Sequence, residues 1–561
     1  MERIRERLFS IYNNQNVEIT YSYIMKAIHQ TKQKPLKMRK QYWDEKDVVL
    51  ITYGDQFKEQ QQPALQTLKK IYDHYFSTVF EIVHILPFYP YSSDDGFSVI
   101  DYKEVSPVMG NWEDIQQLSA SARLMVDLVC NHVSAKSEWF QEYLKGNPVY
   151  RDYFIEVDPT VDLSGVTRPR THPLLTKFTL STEEEKHIWT TFSEDQIDLN
   201  FSNPAVLAEI IDALLFYIEQ GAEYIRLDAV GFIWKEIGTS SIHHEKAHNI
   251  IKLFREVVDE AAKGTLLITE TNVPHEDNIS YFGNGRDEAH LVYQFPLPPL
   301  ILYSIHYGDA SALSKWAKSF PHMGKETAFY NFLASHDGIG LNPIRGIIPE
   351  NKIIEMAEAL KKEGALISYK KNEDGKDVPY EINATYFDAL NRKSDEEALR
   401  IKRFLVAHSI LLGLPGIPAI YIQSVLGARN DYDGVKKTGA ARSINREKYW
   451  LGDIEQELLQ SGTVTNQVFQ EMIKMIGIRK AEPLFHPNAA MKMLDYGESI
   501  FAFYRINKSK EQILLLHNLA NQSVVLPVVG HYCNILTQQN IKFEESVELE
   551  PYQFFWLKPI D

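Results

Sequence analysis

The chain is 561 residues long, room for several ordinary domains or for one α/β barrel with insertions, and it is 44% hydrophobic, 12% aromatic and 24% charged. Short disulfide scaffolds and wholesale disorder are excluded by those figures. Lys and Arg number 59 against 75 Asp and Glu, so a formal charge of −16 repels nucleic acid and anionic lipid at long range, and an anionic substrate must find local cations.

The two cysteines, Cys130 and Cys533, lie in apolar, strand-like runs and read as packing residues, which fits a reducing compartment. The N-terminus, MERIRERLF, mixes both charges from its second residue, and no apolar run reaches the roughly 18 residues that a membrane span needs. The expectation is a cytoplasmic, unanchored protein, monomeric or homodimeric, that meets small-molecule substrates.

Residues 1–45 are expected to form a helical covering segment, with Ile4, Leu8 and Ile11, then Ile24, Ala27 and Ile28, at helical spacing. From Val48 onward short aliphatic runs alternate with amphipathic stretches of helical period: 48–53, 82–86, 124–130, 223–228, 266–270, 291–295, 330–335 and 418–422. Near-continuous apolar strands separated by helices indicate a parallel sheet, and eight of them predict an α/β fold, a (β/α)8 barrel, over 46–131 and 206–485. Two gaps are too long for simple strand–helix units. Residues 132–205 are expected to be an inserted domain after strand 3 and 338–395, containing KKNEDGKD, a second insertion after strand 7. Beyond about residue 486 apolar residues recur with period two, as in Ile500-Phe501-Ala502-Phe503-Tyr504, which predicts a small C-terminal antiparallel β domain over 486–561.

Three carboxyl groups stand at the C-terminal ends of such runs: Asp228 in YIRLDAVGF, Glu270 in LLITETNVP and Asp337 in FLASHDGIG. At the mouth of one barrel they suit glycosyl transfer, in which one carboxylate attacks the anomeric carbon and another carboxyl protonates the leaving oxygen. Crowding also separates their pKa values. Two other motifs point elsewhere. His244-Glu245-Lys246-Ala247-His248 fits H-E-x-x-H, but its apolar continuation at Ile250, Phe254, Val257 and Val258 reads as a barrel-covering helix, and no metal site is expected there. Glycine-rich phosphate loops and basic stripes with interleaved aromatics are absent from the sequence, so neither a nucleotide cofactor nor nucleic acid is expected.

The segments LMVDLVCNH, YIRLDAVGF, ITETN and ASHDG resemble, in order, the four short regions of the α-amylase superfamily, glycoside hydrolase family thirteen. The resemblance implies Asp228 as nucleophile, Glu270 as general acid/base and Asp337 as transition-state stabiliser. It also implies that Arg226 holds Asp228 ionised, that His132 and His336 bond glucose hydroxyls and that Asp127 supports the loop. Asn131 matches a calcium ligand of many amylases. HILPFYPYSSDDGFSVIDY, WTTFSEDQIDLNF and ARSINREKY are similar to the sucrose-phosphorylase branch of that family, for which no calcium or other cofactor is expected and inorganic phosphate is the co-substrate. There Asp94 and Arg442 would clamp the nonreducing end of one glucose, Phe97 would stack on the sugar and Gln196 would reach it from the inserted side.

Arg168 and Arg170 match an Arg-Pro-Arg element of the branch, and Arg170 with Tyr380 is the implied phosphate site. Thr167 stands where sucrose phosphorylases carry a tyrosine, and Glu381 where they carry a glutamine. Both positions are on the acceptor side, and over nearly its full length the chain is most similar to the branch members that act on 2-O-α-glucosylglycerate. The implied reaction is reversible phosphorolysis to α-glucose 1-phosphate and glycerate, with Arg168, Arg170 and Arg345 as candidate carboxylate partners. Phosphorolysis of sucrose, sucrose 6′-phosphate or glucosylglycerol, hydrolysis or transglucosylation on the same barrel, and a catalytically inactive binding barrel are the competing readings.

Overall fold

The computed structural model describes residues 2–13, 16–37, 39, 41–170, 172–321, 323–371 and 376–560. The KKNEDGKD stretch falls partly outside them, at 372–375. Eight parallel strands close into a barrel: β1 (Val49–Thr52), β2 (Ile82–Ile85), β3 (Arg123–Val129), β4 (Ala222–Asp228), β5 (Leu266–Thr269), β6 (Leu291–Tyr293), β7 (Ala328–Phe332) and β8 (Ile417–Tyr421), each paired with its sequence neighbour and β8 with β1. All eight coincide with the predicted apolar runs. Every residue of these strands is buried, as expected where one face fills the barrel and the other meets helices.

The N-terminal segment is less helical than its periodicity suggested. Helices α1 (Glu2–Tyr12) and α2 (Val17–Lys32) bury Ile4, Leu8 and Ile11, then Ile24, Ala27 and Ile28, against helices Glu245–Ala261 and Pro204–Glu219 of the barrel's outer layer, and helical structure stops at Lys32.

Between β3 and the helix at Pro204 lie two antiparallel strand pairs: His132–Ser134 pairs with Gln196–Asp198, which returns from the far end of the insertion, and Leu175–Thr179 forms a hairpin with Glu185–Trp189. After β7 a three-stranded sheet places Asp377–Asn383 between Ile339–Gly340 and Leu366–Lys371, flanked by helix Glu350–Glu363. The C-terminal six-stranded antiparallel sheet runs in the order Ala490–Leu494, Ile500–Ile506, Gln512–Asn518, Phe554–Pro559, Gly530–Asn534, Gln539–Phe543. Strand alternation decides its packing: Phe501, Phe503, Ile513 and Leu515 join the barrel's core, whereas Ile500, Ala502, Leu514 and Leu516 form a separate cluster on the other face. Both cysteines are free thiols. Among the described residues no helix is long and apolar enough to cross a membrane.

Candidate active site

Parallel register brings the first two carboxyls together. Leu227 of β4 pairs with Thr269 of β5, so the next residues, Asp228 and Glu270, stand side by side at the C-terminal mouth. On the other side of β4, Asp127 of β3 pairs directly with Arg226, and because side chains alternate along a strand, Arg226 and Asp228 share the inward face. Arg226, 2% exposed, ties the group together: its guanidinium bonds Asp127 and Asp228 Oδ1, the latter at 2.8 Å, lies 4.0 Å from Glu270 Oε2 and donates through Nε to Tyr293 at 3.1 Å. His84 of β2 closes the buried chain at 2.6 Å from Asp127 Oδ2.

The chain turns sharply after the nucleophile candidate. Ala229 is left-handed at φ 51°, an unusual state for a residue with a side chain, and this aims its N–H at Glu270 Oε2, 3.1 Å away. Burial, then repulsion between neighbouring carboxylates, raises both Asp228 and Glu270 against the pull of Arg226. The pair therefore holds a proton near neutrality. Arg226 touches Asp228 and stands off Glu270, so of the two charges it is that of Asp228 which the guanidinium favours.

Asp337 lies five residues past the end of β7, which stops at Phe332, three residues earlier than the apolar run implied. Burial pushes its pKa up, but Arg442, His336, Arg446 and Arg226 outweigh that and hold it well below the ordinary carboxylate range. Arg442 bonds Asp337 Oδ1 with one arm and spans both oxygens of Glu381 with the other, at 2.7 and 3.3 Å. Glu381 reaches it across Gly338, where a Cβ would lie 2.5 Å from the glutamate chain. Arg446 holds the His336 carbonyl at 2.8 Å.

Asp94, Phe97, His132, Gln196, His336 and Arg442 all line one pocket with the three carboxyls, as do Arg170, Tyr380 and Glu381. Asp94 and its neighbour Asp95 both have φ 50°, so the D-D-G turn is strained where it faces the pocket. Asp94 forms an ion pair with Arg170 at 3.3 Å. Burial raises Asp94, but Arg170, Arg442 and Arg446 together hold it low. Phe97 stacks on His336, ring centroids 4.6 Å apart. His132 donates through Nε2 to the Phe97 carbonyl at 2.9 Å, and the Gln196 amide nitrogen lies 3.1 Å from the same ring nitrogen. Burial pushes His132 down to about 4 and His336 to about 3, so both rings are neutral hydrogen-bonding groups at neutral pH.

Two expected acceptor residues are elsewhere. Arg345 points out of the pocket, bonded to Glu350, to the Pro379 carbonyl at 2.9 Å and to Asn342 at 3.4 Å, because the turn that carries it packs against the inserted sheet. Arg168 turns back to the His172 carbonyl of its own loop and does not line the pocket. Glu381 lines the pocket, but with its carboxylate engaged by Arg442.

The sequence reading missed Asn272, Asn342, Phe192, Phe295 and Phe332 in the pocket wall, and Lys235 beneath it. Asn272, two residues after Glu270, and Phe192, inside WTTFSEDQIDLNF, each lay within a quoted motif. Lys235 is buried, with Nζ 2.5 Å from Asn131 Oδ1 and 2.7 Å from Asp198, whose carboxylate also takes both the N–H and the hydroxyl of Thr191. A lysine ammonium thus sits at the amide oxygen matched to an amylase calcium ligand. In the H-E-x-x-H segment His244 caps its helix and His248 bonds Glu288 at 2.8 Å.

Comparison with known proteins agrees with this geometry. The α-amylase catalytic domain matches residues 52–360. The chain is 48% identical to glucosylglycerate phosphorylase of Escherichia coli (strain K12) over 99% of its own length and 100% of that protein's. It is 46% identical to glucosylglycerate phosphorylase of Allomeiothermus silvanus, covering 93% of each chain. Among solved structures, sucrose 6F-phosphate phosphorylase from Thermoanaerobacter thermosaccharolyticum superposes with a TM-score of 0.76 at 29% identity, covering 90% of this chain and 99% of that one. The chain belongs to the α-amylase catalytic-domain family, in its sucrose-phosphorylase-like branch.

Proposed function

We propose that this protein is a retaining phosphorylase that converts 2-O-α-D-glucosylglycerate and phosphate reversibly to α-D-glucose 1-phosphate and D-glycerate. The observation that carries the reading is one pocket holding Asp228, Glu270 and Asp337 with the glucose-facing groups Asp94, His132, His336 and Arg442, in a chain whose full-length relatives are named for that substrate.

In the first half-reaction Asp228 attacks the anomeric carbon, the bond to the glycerate oxygen breaks and Glu270 gives that oxygen its proton, leaving a β-glucosyl ester. In the second, a phosphate oxygen attacks the same carbon from the face glycerate left, the ester bond breaks and Glu270 takes the phosphate proton. Two inversions give net retention. Asp337, held ionised, faces the positive charge that develops on the sugar. Phe97, Phe192, Phe232, Phe295 and Phe332 make the wall apolar, which disfavours water as the competing nucleophile. Arg170 is the cation we assign to phosphate, with Tyr380 beside it.

The reading includes no metal or organic cofactor, and a cytoplasmic monomer or homodimer. Lys235 fills the cation position at Asn131 and Asp198, so dialysis against EDTA should leave turnover unchanged. The decisive assay compares glucose 1-phosphate release from glucosylglycerate, sucrose, sucrose 6′-phosphate and glucosylglycerol in phosphate buffer. Strong preference for glucosylglycerate is expected. Preference for another donor would overturn the acceptor assignment, and free glucose formed without phosphate would make the protein a hydrolase.

A further inference from the structure

The pocket wall beyond Glu270 is built from residues 271–273, 338–340 and 342, and two of its polar side chains are carboxamides, Asn272 and Asn342. The sense of the Asn342 amide is fixed by its neighbour. Arg345 Nε donates to Asn342 Oδ1, and since a guanidinium can only donate, the amide oxygen must face Arg345 and the NH2 group must turn away from it. Glu350 and the Pro379 carbonyl hold Arg345 in place, so this orientation is set before any ligand arrives.

Asn272 is exposed to the pocket and makes no hydrogen bond among the described residues. Its carboxamide lies against the backbone of Gly340, two residues before Asn342: a Cβ there would stand 2.7 Å from Nδ2 and 3.1 Å from Oδ1. Gly340 is outside the left-handed region, so the absent side chain serves this close approach and not a turn.

Charge explains why neutral donors matter here. The pocket is lined by five carboxyl side chains, Asp94, Asp228, Glu270, Asp337 and Glu381, against the guanidinium groups of Arg170 and Arg442. Each of those arginines is already paired with a carboxylate. An incoming organic acid would therefore meet a cation that brings a negative partner with it, whereas an amide NH2 brings none.

We propose that Asn272 and Asn342 are specificity-determining residues for the acceptor, donating from their NH2 groups to the carboxylate of a short hydroxy acid, and that Arg345 is a positioning residue acting through Asn342. This rests on the assignment of glycerate as acceptor. It replaces a direct Arg345–carboxylate contact with an indirect one.

The test uses glucose 1-phosphate as donor and compares kcat/KM for glycerate with that for glycerol in Asn272→Asp, Asn342→Asp and Arg345→Met, while phosphate exchange into glucose 1-phosphate reports a folded, glucosylating barrel. Replacing an NH2 donor by a carboxylate should lower the glycerate-to-glycerol ratio about 100-fold in the Asn342 variant, and about 10-fold in the Arg345 variant, through KM more than kcat. Equal losses for both acceptors, or none, would overturn the proposal while glycerate stands as the wild-type acceptor. Should Asn342→Asp lose exchange as well, the exposed Asn272→Asp decides. A wild-type enzyme that exchanges phosphate but does not couple glycerate would sink the acceptor assignment and this proposal with it.

Discussion

At Asp228 and Glu270 two carboxyls share one arginine, which stands 2.8 Å from the first and 4.0 Å from the second. Under the proposed mechanism Asp228→Asn removes the nucleophile and Glu270→Gln the proton donor, so each should lower kcat by about 10³-fold or more in steady-state assays. The same carboxyls predict a stability signature. Glu270 has a folded-state pKa raised above its unfolded value near 4.3, so the proton it keeps favours the native state at low pH, and that contribution is lost as pH rises through the folded value. Glu270→Gln should therefore melt about 1–2 °C above wild type at pH 8, with the gap closing near pH 4, as read by scanning calorimetry. A variant melting at or below wild type at pH 8 would show that Glu270 is not strained by its charge.

At the scale of elements, the first inserted segment is fastened by one internal cation. Lys235, just past β4, bonds Asn131 after β3 and Asp198 on the hairpin strand that pairs with His132. Asp198 is fully buried, and Lys235→Met would leave its charge with only neutral donors. Breaking such a pair costs about 3–5 kcal/mol. His132 and Gln196 sit on the two strands so joined, so the variant should melt lower and bind glucosyl donors more weakly, with KM rising before kcat falls. An unchanged melting temperature in that variant would remove Lys235 from this role. The second insertion is held differently, by Arg442 to Glu381 and by Arg345 to Pro379.

Across the whole molecule the barrel and the C-terminal sheet share one core. Phe501, Phe503, Leu515 and Trp556 pack into the barrel's cluster, and Trp556 donates to Ser409 at 2.9 Å. Arg505, fully buried and pushed down to about 9 by that burial, bonds the Gly413 carbonyl at 2.7 Å and the His486 carbonyl at 2.6 Å. Arg479, likewise pushed down to about 10, bonds the carbonyls of Leu412 and Phe485. Calorimetry should accordingly show the barrel and sheet unfolding in one transition, and Arg505→Met should lower that transition as a whole. A separate early transition for the C-terminal sheet would count against the shared core.

The eight strands, the two insertions, the C-terminal sheet and the three carboxyls were legible in the sequence because each rests on a local pattern: uninterrupted apolar runs, period-two alternation, or an acidic residue at the end of such a run. The pocket-lining residues Asp94, Phe97, His132, Gln196, His336 and Arg442 were legible too, each lying inside a contiguous motif. Tertiary structure alone decided what the charged groups do to one another. Arg442 takes Glu381 and Asp337, Asp94 takes Arg170, and Arg345 reaches Asn342 instead of the pocket. Lys235 lands on Asn131, 104 residues away. Such pairings depend on sheet register and on which glycines let chains approach, quantities fixed by packing between distant segments and carried by no local run of residues.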